Sequence, residues 1–394
     1  MKKKLLALFL LMLSLCLCFV LVSCEDTNET DEDDEGQEKQ EKPRTSKGLE
    51  YQLSSDKKSY IVKGIGSCKD KDIVIPETYK GLPVTEIGKE AFRNNTITGV
   101  EMPSGVKFIG EAAFNSCENL TEIVLPSNET FVDDFAFDGC SKLAYNSYDN
   151  GLYLGTSDNP YLILMKAKDQ YITACEINSG TKRIQSRAFS RCYDLTSIEI
   201  PDGVVSIGTQ AFEECPSMTE LQLPNSVTKI GTYAFGFSFK TFNYSICDNA
   251  KYIGNEENPY LALANVDDKN ITSFVIKENT RFILNGAFGS CKNLTNIEIP
   301  NNIVSIDDNA FYWCTSLKSV TIGNGVQYIG YNAFGNCEQL ESIVIPSSVT
   351  QIQMDIFNGA NRRMKIYCEA ESKPDGWNER WNSSEHNVTW GYKK

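Results

Sequence analysis

A unit of about 23 residues recurs along most of this 394-residue chain. It is marked by Ala-Phe, once Ile-Phe, and its ten phenylalanines stand at positions 92, 114, 137, 189, 212, 235, 288, 311, 334 and 357. Seven of the nine steps between them are 22 or 23 residues, and the other two are 52 and 53. So short a unit cannot enclose its apolar side alone, so the copies must stack and share one core. The repeat therefore predicts one stacked array instead of the two or three globular domains that the length alone would suggest.

One copy, Leu195 to Cys215, indicates how the unit folds. In "LTSIEIP" apolar and polar residues alternate, which predicts a short strand with Glu199 pointing outward and Pro201 at its end. The following "DGVVSIG" and "TQAFEEC" each turn the chain again and direct their apolar residues inward. No run is long enough for an ordinary helix. The pattern predicts a right-handed, β-rich solenoid.

Two insertions, near 144–171 and 243–270, interrupt this rhythm. They belong to a larger duplication, in which residues 148–235 match 247–334 at an offset of 99. Each insertion alternates around an Asn-Pro turn, which predicts a β-hairpin. Because tyrosine is favoured at interfaces, four tyrosines are expected to offer a contact surface: Tyr153, Tyr161, Tyr252 and Tyr260. The alternative is that the hairpins only pack on the solenoid or add strands to its sheet.

The unit I-x-I-P-x-x-V-x-x-I-G-x-x-A-F-x-x-C-x-x-L resembles the leucine-rich repeat of the BspA-like bacterial surface proteins, from about Leu49 to the C-terminus. This resemblance implies an N-terminal cap at 48–71, leucine-rich repeats over 72–366 and a C-terminal cap at 367–394. Members of the family are associated with binding host matrix proteins and other cells. In the C-terminal cap, three tryptophans are expected to cover the open end of the last coil rather than stack on sugars: Trp377, Trp381 and Trp390.

The N-terminus predicts export and anchoring. Lysines, an apolar run and a small residue before Cys24 are typical of a secretory signal at 1–23. The ending resembles the lipobox of bacterial lipoproteins, which implies that Cys24 is lipidated. An uncleaved membrane helix is the alternative, because 18 apolar residues nearly span a bilayer. Residues 24–47, rich in Asp and Glu, predict a disordered tether, so we expect a lipid-anchored protein at the bacterial cell surface or outer envelope.

Seven cysteines stand three residues after the motif phenylalanine: Cys117, Cys140, Cys192, Cys215, Cys291, Cys314 and Cys337. Other copies carry Asn95, Ser238 and Ala360 there, and none of these forms a disulfide. We therefore expect a free thiol packed in the turn. Disulfides, which the exported compartment favours, and metal binding are the alternatives. Outside the motif the pattern places Cys175 in the core and leaves three cysteines open: Cys68, Cys247 and Cys368.

Composition argues against catalysis and against nucleic-acid binding. From Cys24 onward, 35 Lys and Arg face 52 Asp and Glu, and such a surface repels phosphate backbones. The one histidine, His386, lies in the predicted C-terminal cap, so a histidine metal cluster is impossible. No glycine-rich phosphate loop or Cys-x-x-Cys is present. We expect no cofactor and no enzyme; a surface polysaccharide hydrolase built on an acidic pair is a distant alternative.

The outward strand positions remain as a candidate ligand-binding face. Aligned to Glu199, they are Val74, Glu101, Val124, Glu176, Glu199, Gln222, Val275, Glu298, Thr321 and Val344. Ten strands would form a face roughly 45 to 50 Å long. Such faces commonly bind ligands in solenoids, although a merely solvated face is the simpler interpretation. We expect a surface protein that adheres to a host or matrix protein or glycan through this face and the hairpins; the alternative is a structural or scaffold component of the envelope.

Overall fold

Each repeat forms one coil of a β-solenoid in the computed structural model, which describes residues 45–236 and 242–393. The predicted signal peptide, Cys24, the tether up to Arg44 and Ser238 lie outside the described residues. The described part consists of strands and turns without a helix, so it holds no helical segment suited to crossing a membrane. The predicted solenoid fold is confirmed.

A regular coil carries two short strands. In the coil from Leu195 to Cys215 the alternating apolar residues of "LTSIEI" are buried, while Ser197 and Glu199 are exposed. Strands aligned with Ser197–Glu199 pair in parallel from coil to coil and form what we call the first strand row. Strands aligned with Ser206–Ile207 form the second strand row. The Ala-Phe turn closes the coil and places its phenylalanine in the core.

The two insertions divide the solenoid into three blocks, and each block has its own buried cluster. The first block, 45–143, contains β1 (Glu50–Leu53), β2 (Tyr60–Gly64), β3 (Asp72–Val74), β4 (Thr78–Tyr79), β5 (Leu82–Ile87), β6 (Gly99–Glu101), β7 (Phe108–Ile109) and β8 (Phe131–Val132). The second block, 172–236, contains β12 (Arg183–Ile184), β13 (Ser197–Glu199), β14 (Ser206–Ile207), β15 (Glu220–Gln222) and β16 (Lys229–Ile230).

The third block, 271–393, contains β20 (Phe282–Ile283), β21 (Asn296–Ile299), β22 (Ser305–Ile306), β23 (Ser319–Ile322), β24 (Tyr328–Ile329), β25 (Ser342–Ile345), β26 (Gln351–Ile352), β27 (Lys365–Cys368) and β28 (Asn387–Thr389). The first insertion contains β9 (Asn146–Tyr148), β10 (Gly151–Leu154) and β11 (Ile163–Ala167). The second insertion contains β17 (Ser245–Cys247), β18 (Ala250–Ile253) and β19 (Ala262–Val266).

Each insertion is a three-stranded antiparallel unit that joins the second strand row. In the first insertion β9 pairs with β10 and β10 with β11, and β11 then pairs in parallel with β12 of the second block. Its two faces enter different cores. Leu154 and Ile163 pack in the core of the first block, whereas Tyr153 and Leu164 pack in that of the second. The insertion is therefore a wall between two blocks, and the second insertion repeats this arrangement.

The motif phenylalanines stack along the solenoid axis within each block. Neighbouring ring centroids lie 4.8 to 6.0 Å apart with nearly parallel planes within three groups: Phe92 to Phe137, Phe189 to Phe235, and Phe288 to Phe357. The breaks between groups coincide with the insertions. The two insertions thus account for the two long steps in the repeat.

The motif cysteines are free, and five of the seven thiols donate to the phenylalanine carbonyl of the preceding coil. Cys117 Sγ donates to the Phe92 carbonyl at 2.9 Å, and Cys215 Sγ donates to the Phe189 carbonyl at 3.1 Å. Burial raises the pKa of the Cys215 thiol to about 12, so it stays protonated and able to donate. The predicted packed thiol is confirmed. Cys175 is buried as expected, Cys68 and Cys368 are buried too, and Cys247 is partly exposed.

The C-terminal tryptophans cover the last coil, as predicted. Trp377 and Trp381 are buried, and their rings meet edge to face at 4.9 Å. Trp377 Nε1 donates to the Val349 carbonyl at 3.0 Å, which ties the cap to the coil beneath it. Trp390 packs against both indoles from a half-buried position.

Candidate functional site

The outward positions of the first strand row point to solvent, as the alternation predicts. Side chains at six acidic, amide or hydroxyl positions are exposed: Glu101, Glu176, Glu199, Gln222, Glu298 and Thr321. Val124 and Val275 are 49% and 82% exposed, which is unusual for valine. Val74 and Val344 are half-buried. The row therefore mixes carboxylates with uncovered aliphatic side chains.

The expectation of one continuous ten-stranded face is wrong. The first strand row consists of three hydrogen-bonded sections, β3–β6, β13–β15 and β21–β23–β25–β27–β28. The reason lies in the insertions, whose loops replace the next coil at each break. Leu125 N donates to the Gly155 carbonyl at 2.9 Å, and Leu223 N donates to the Gly254 carbonyl at 3.0 Å. The outward positions therefore lie on three separate faces.

The first of these sections forms an open groove of about 490 Å³, which we call the first-row groove. Its floor includes Val74 and Val124, and its acidic side chains are Asp72, Glu101 and Glu122. Ser157, from the loop of the first insertion, lies at one end. Three of the predicted outward positions thus meet in one concavity together with an insertion loop. Exposed aliphatic groups next to carboxylates are complementary to another molecule whose surface has both apolar and cationic groups.

Glu176 makes hydrogen bonds within the protein. Its Oε1 accepts from Tyr148 Oη at 2.6 Å, and its backbone amide donates to Asp149 Oδ2 at 2.8 Å. These bonds fasten the β9–β10 turn of the first insertion to the start of the second block. Sequence reasoning missed this role, because Tyr148 and Glu176 are 28 residues apart and belong to different elements.

The tyrosines predicted to contact a ligand divide into two pairs. Tyr153 and Tyr252 are fully buried, so the prediction that they offer a contact surface is wrong. The insertions have a core on both faces, and the larger side chains fill it. Tyr161 and Tyr260 are half-buried and pack edge-on against them, with ring centroids at 5.5 and 5.2 Å. What the insertions contribute to the surface is their loops.

Each insertion also leaves a cleft beside the last Ala-Phe turn of the preceding block. The first cleft, of about 200 Å³, is lined by residues 135–141, Tyr145, Met165, Lys166 and 185–187. The second, of about 230 Å³, is lined by residues 233–236, Tyr244, Lys251, Ile253, 264–265, 284–286 and Asp307. In both, a lysine lies over a tyrosine ring: Lys166 over Tyr145 at 4.9 Å and Lys251 over Tyr244 at 5.6 Å.

The clefts were not predicted, although the sequence holds a signal for them. Phe135 and Tyr233 both precede Ala-Phe in the last coil of a block, where Glu90, Ala112 and Gln210 stand in regular coils. Aromatic residues at that position mark the two places where the next coil is absent.

His386 is enclosed in the C-terminal cap. Its Nε2 lies 3.1 Å from the Asn361 carbonyl, its Nδ1 lies 3.2 Å from Asn382 Oδ1, and burial lowers its pKa. It is therefore engaged in holding the cap together. Residues 45–236 and 242–393 contain no group of three or more His, Cys, Asp or Glu arranged to hold a metal ion.

Stacked coils of about 23 residues, two strand rows and a repeated buried phenylalanine define a leucine-rich repeat solenoid. The model of the BspA type leucine rich repeat region matches residues 66–156, 167–266 and 261–370, well over half of the chain. The chain belongs to this family, and the resemblance noted from the sequence is confirmed.

Among solved structures, a leucine rich cell surface protein of Faecalibacterium prausnitzii is 24% identical, with 89% of this chain and 95% of that chain covered and a TM-score of 0.34. The leucine rich repeat protein of T. pallidum is 28% identical over 49% of this chain and 87% of its own, with a TM-score of 0.32. A leucine-rich repeat protein of Bacteroides ovatus is 21% identical over 89% and 100%, with a TM-score of 0.30. No curated protein matches the chain.

Proposed function

We propose that this chain is a lipid-anchored binding protein of the bacterial cell surface and that its ligand is a protein with a basic, partly apolar surface. The first-row groove carries the proposal, because the exposed Val124 and the half-buried Val74 line it together with the carboxylates of Asp72, Glu101 and Glu122. Complementary charge speeds encounter and selects partners, while the aliphatic floor contributes buried area. The basic and apolar N-terminal segment that ends at Ser23-Cys24 supports the location.

The binding test uses the mature protein and a panel of matrix proteins, mucins and glycans. We expect saturable binding to at least one basic protein, and Glu101→Gln with Glu122→Gln should weaken it about tenfold at low salt while leaving thermal unfolding unchanged. The matched control, Glu199→Gln, removes an exposed carboxylate from a different section of the row. Failure to bind any member of the panel, or equal losses in the control and the double variant, would contradict the proposal.

The anchoring test uses whole cells. Cys24→Ala should abolish the incorporation of labelled fatty acid into the protein, and protease added to intact cells should remove the repeat body of the wild-type protein. Recovery of one dominant envelope protein on crosslinking, with no external ligand, would instead favour a scaffold role.

A further inference from the structure

Regular coils satisfy three backbone amides of the Ala-Phe turn with carbonyl groups of the next coil. Ala112 N donates to the Asp134 carbonyl at 3.0 Å, Phe114 N donates to the Ala136 carbonyl at 2.8 Å, and Ser116 N donates to the Asp138 carbonyl at 2.7 Å. The same three positions donate forward in the coils of Phe92, Phe189, Phe288 and Phe311. The acceptors are always carbonyls of alternate residues in one polypeptide segment.

This ladder stops at the first cleft. The corresponding amides of the next turn, those of Phe135, Phe137 and Gly139, donate to no acceptor among the described residues. The first insertion has displaced the next coil, and the end of its strand β11 bonds elsewhere, since Ala167 N donates to the Ala188 carbonyl at 2.7 Å. The amides of these three alternate residues are thus open on a concave wall, with Gly139 exposed, and their spacing suits a ligand that supplies backbone carbonyl acceptors.

The opposite wall of the first cleft carries two cations. Lys166 Nζ lies 4.9 Å from the centre of the Tyr145 ring, and Arg187 Cζ lies 4.7 Å from that of Phe135. The aromatic rings hold both cations over the cleft, in a chain whose formal net charge is −14. Asp138 is the one acidic side chain in the lining, and its Oδ2 is 3.7 Å from Arg187 Nη1, a loose ion pair.

We propose that the first cleft binds an acidic peptide segment of a partner protein, with its carbonyls on the Phe135, Phe137 and Gly139 amides and its carboxylates on Lys166 and Arg187. Peptide is favoured over other anions because backbone carbonyls of alternate residues satisfy the same amides in the regular coils. Acidic side chains follow from the charge of the opposite wall. The site is independent of the first-row groove, with which it shares no lining residue.

The chain itself supplies a probe. The segment "DDFAFDG", residues 133–139, covers the amides of Ala112, Phe114 and Ser116, and it is acidic. We therefore use this heptapeptide, blocked at both ends, with the mature protein labelled with ¹⁵N at phenylalanine and glycine. Titration should shift the amide signals of Phe135, Phe137 and Gly139. The peptide with Asn at all three Asp positions should bind about tenfold more weakly.

Single substitutions measure how much each charged side chain of the first cleft contributes to peptide binding. Lys166→Gln and Arg187→Gln should each weaken binding about tenfold. Asp138→Asn should strengthen it, because it removes the competing carboxylate. Arg191→Gln is the matched control: this arginine belongs to the same coil as Arg187 but pairs with Glu214 at 3.2 Å, outside the cleft. Thermal unfolding of each variant verifies the fold.

Three results would overturn the proposal. The three amide signals do not respond to the peptide; the Asn peptide binds as well as the acidic one; or polygalacturonate occupies the cleft and the peptide does not.

Discussion

At the residue scale, the motif phenylalanine holds neighbouring coils together. Phe114 is fully buried, and its ring stacks between Phe92 at 5.2 Å and Phe137 at 5.3 Å. Phe114→Ala removes the contacts on both sides and leaves a cavity in a core that cannot collapse along the stack. We expect the free energy of unfolding to fall by about 3 to 5 kcal/mol, measured by chemical denaturation.

The matched control is Cys117→Ala in the same turn. It removes a small side chain and one thiol hydrogen bond to the Phe92 carbonyl, so the loss should be about 1 to 2 kcal/mol and ligand binding should be intact. A loss as large as that of Phe114→Ala, or release of a metal, would contradict the account of the cysteine as a packed thiol.

The packing of this cysteine as a free thiol could be predicted from the sequence, whereas the backbone conformation of its turn could not. Asn95 and Ala360 at the cysteine position indicate that the turn needs a small side chain there and tolerates the loss of sulfur. The turns, however, place two non-glycine residues in the left-handed region, for example Arg187 at φ 60° and Arg191 at φ 65°. Arginine gives no local signal for such a conformation. The coil-to-coil hydrogen bonds of these residues impose it.

At the element scale, the insertions form walls that separate cores, and two equivalent tyrosines test this. Tyr153 Oη accepts from the Asn178 amide at 3.4 Å, whereas the buried Tyr252 Oη has no hydrogen-bond partner among the described residues. Tyr153→Phe should therefore cost about 0.5 to 1.5 kcal/mol. Tyr252→Phe should leave the free energy of unfolding unchanged or raise it, because it removes an unsatisfied buried hydroxyl.

Both variants keep the aromatic ring, so each is the packing control for the other. Equal losses of unfolding free energy, measured by denaturation under the same conditions, would contradict this assignment of the two hydroxyl groups.

For the insertions, the strands could be predicted from the sequence but the burial of both strand faces could not. Alternation around an Asn-Pro turn was enough to predict strands. Which face of a strand is buried follows from alternation only if one face meets solvent, and in β10 both Tyr153 and Leu154 enter a core. For this reason, alternation alone predicts wrongly that Tyr153 and Tyr252 belong to an exposed aromatic face. The same displacement creates the clefts; Phe135 and Tyr233 mark their places in the sequence, but their open backbone amides leave no sequence signal.

At the scale of the whole molecule, residues in or next to the second strand rows of adjacent blocks meet across each insertion. Arg183 Nη1 donates to the Thr130 carbonyl at 2.6 Å between the first two blocks. Between the second and third blocks, Thr232 Oγ1 lies 3.4 Å from Tyr328 Oη although 96 residues separate them. These contacts follow from where the two long steps fall and could not be assigned from a 23-residue pattern.

Two adjacent carboxyl groups, those of Asp307 and Asp308, are buried near the contact between Thr232 and Tyr328. Their burial makes the stability of the protein depend on pH. Burial, with the neighbouring Asp308 second, raises the pKa of Asp307 to about 8, and burial raises that of Asp308 to about 6. In the unfolded chain both titrate near pH 4. Between about pH 4 and pH 8 the folded state therefore binds more protons than the unfolded state. Stability is greatest at the acidic end of this window and falls as pH rises.

Asp307→Asn keeps the shape of the side chain and removes its charge. The wild-type Tm should fall as pH rises from 5 to 8, and the fall should be clearly smaller in the variant, with the remainder due to Asp308. Circular dichroism melts at fixed ionic strength measure this, and the exposed Glu199→Gln should reproduce the wild-type slope. An unchanged slope in Asp307→Asn would mean that the carboxyl group is not held neutral between the blocks. A reduced slope would mean that the contact between the second and third blocks is most stable when Asp307 is protonated.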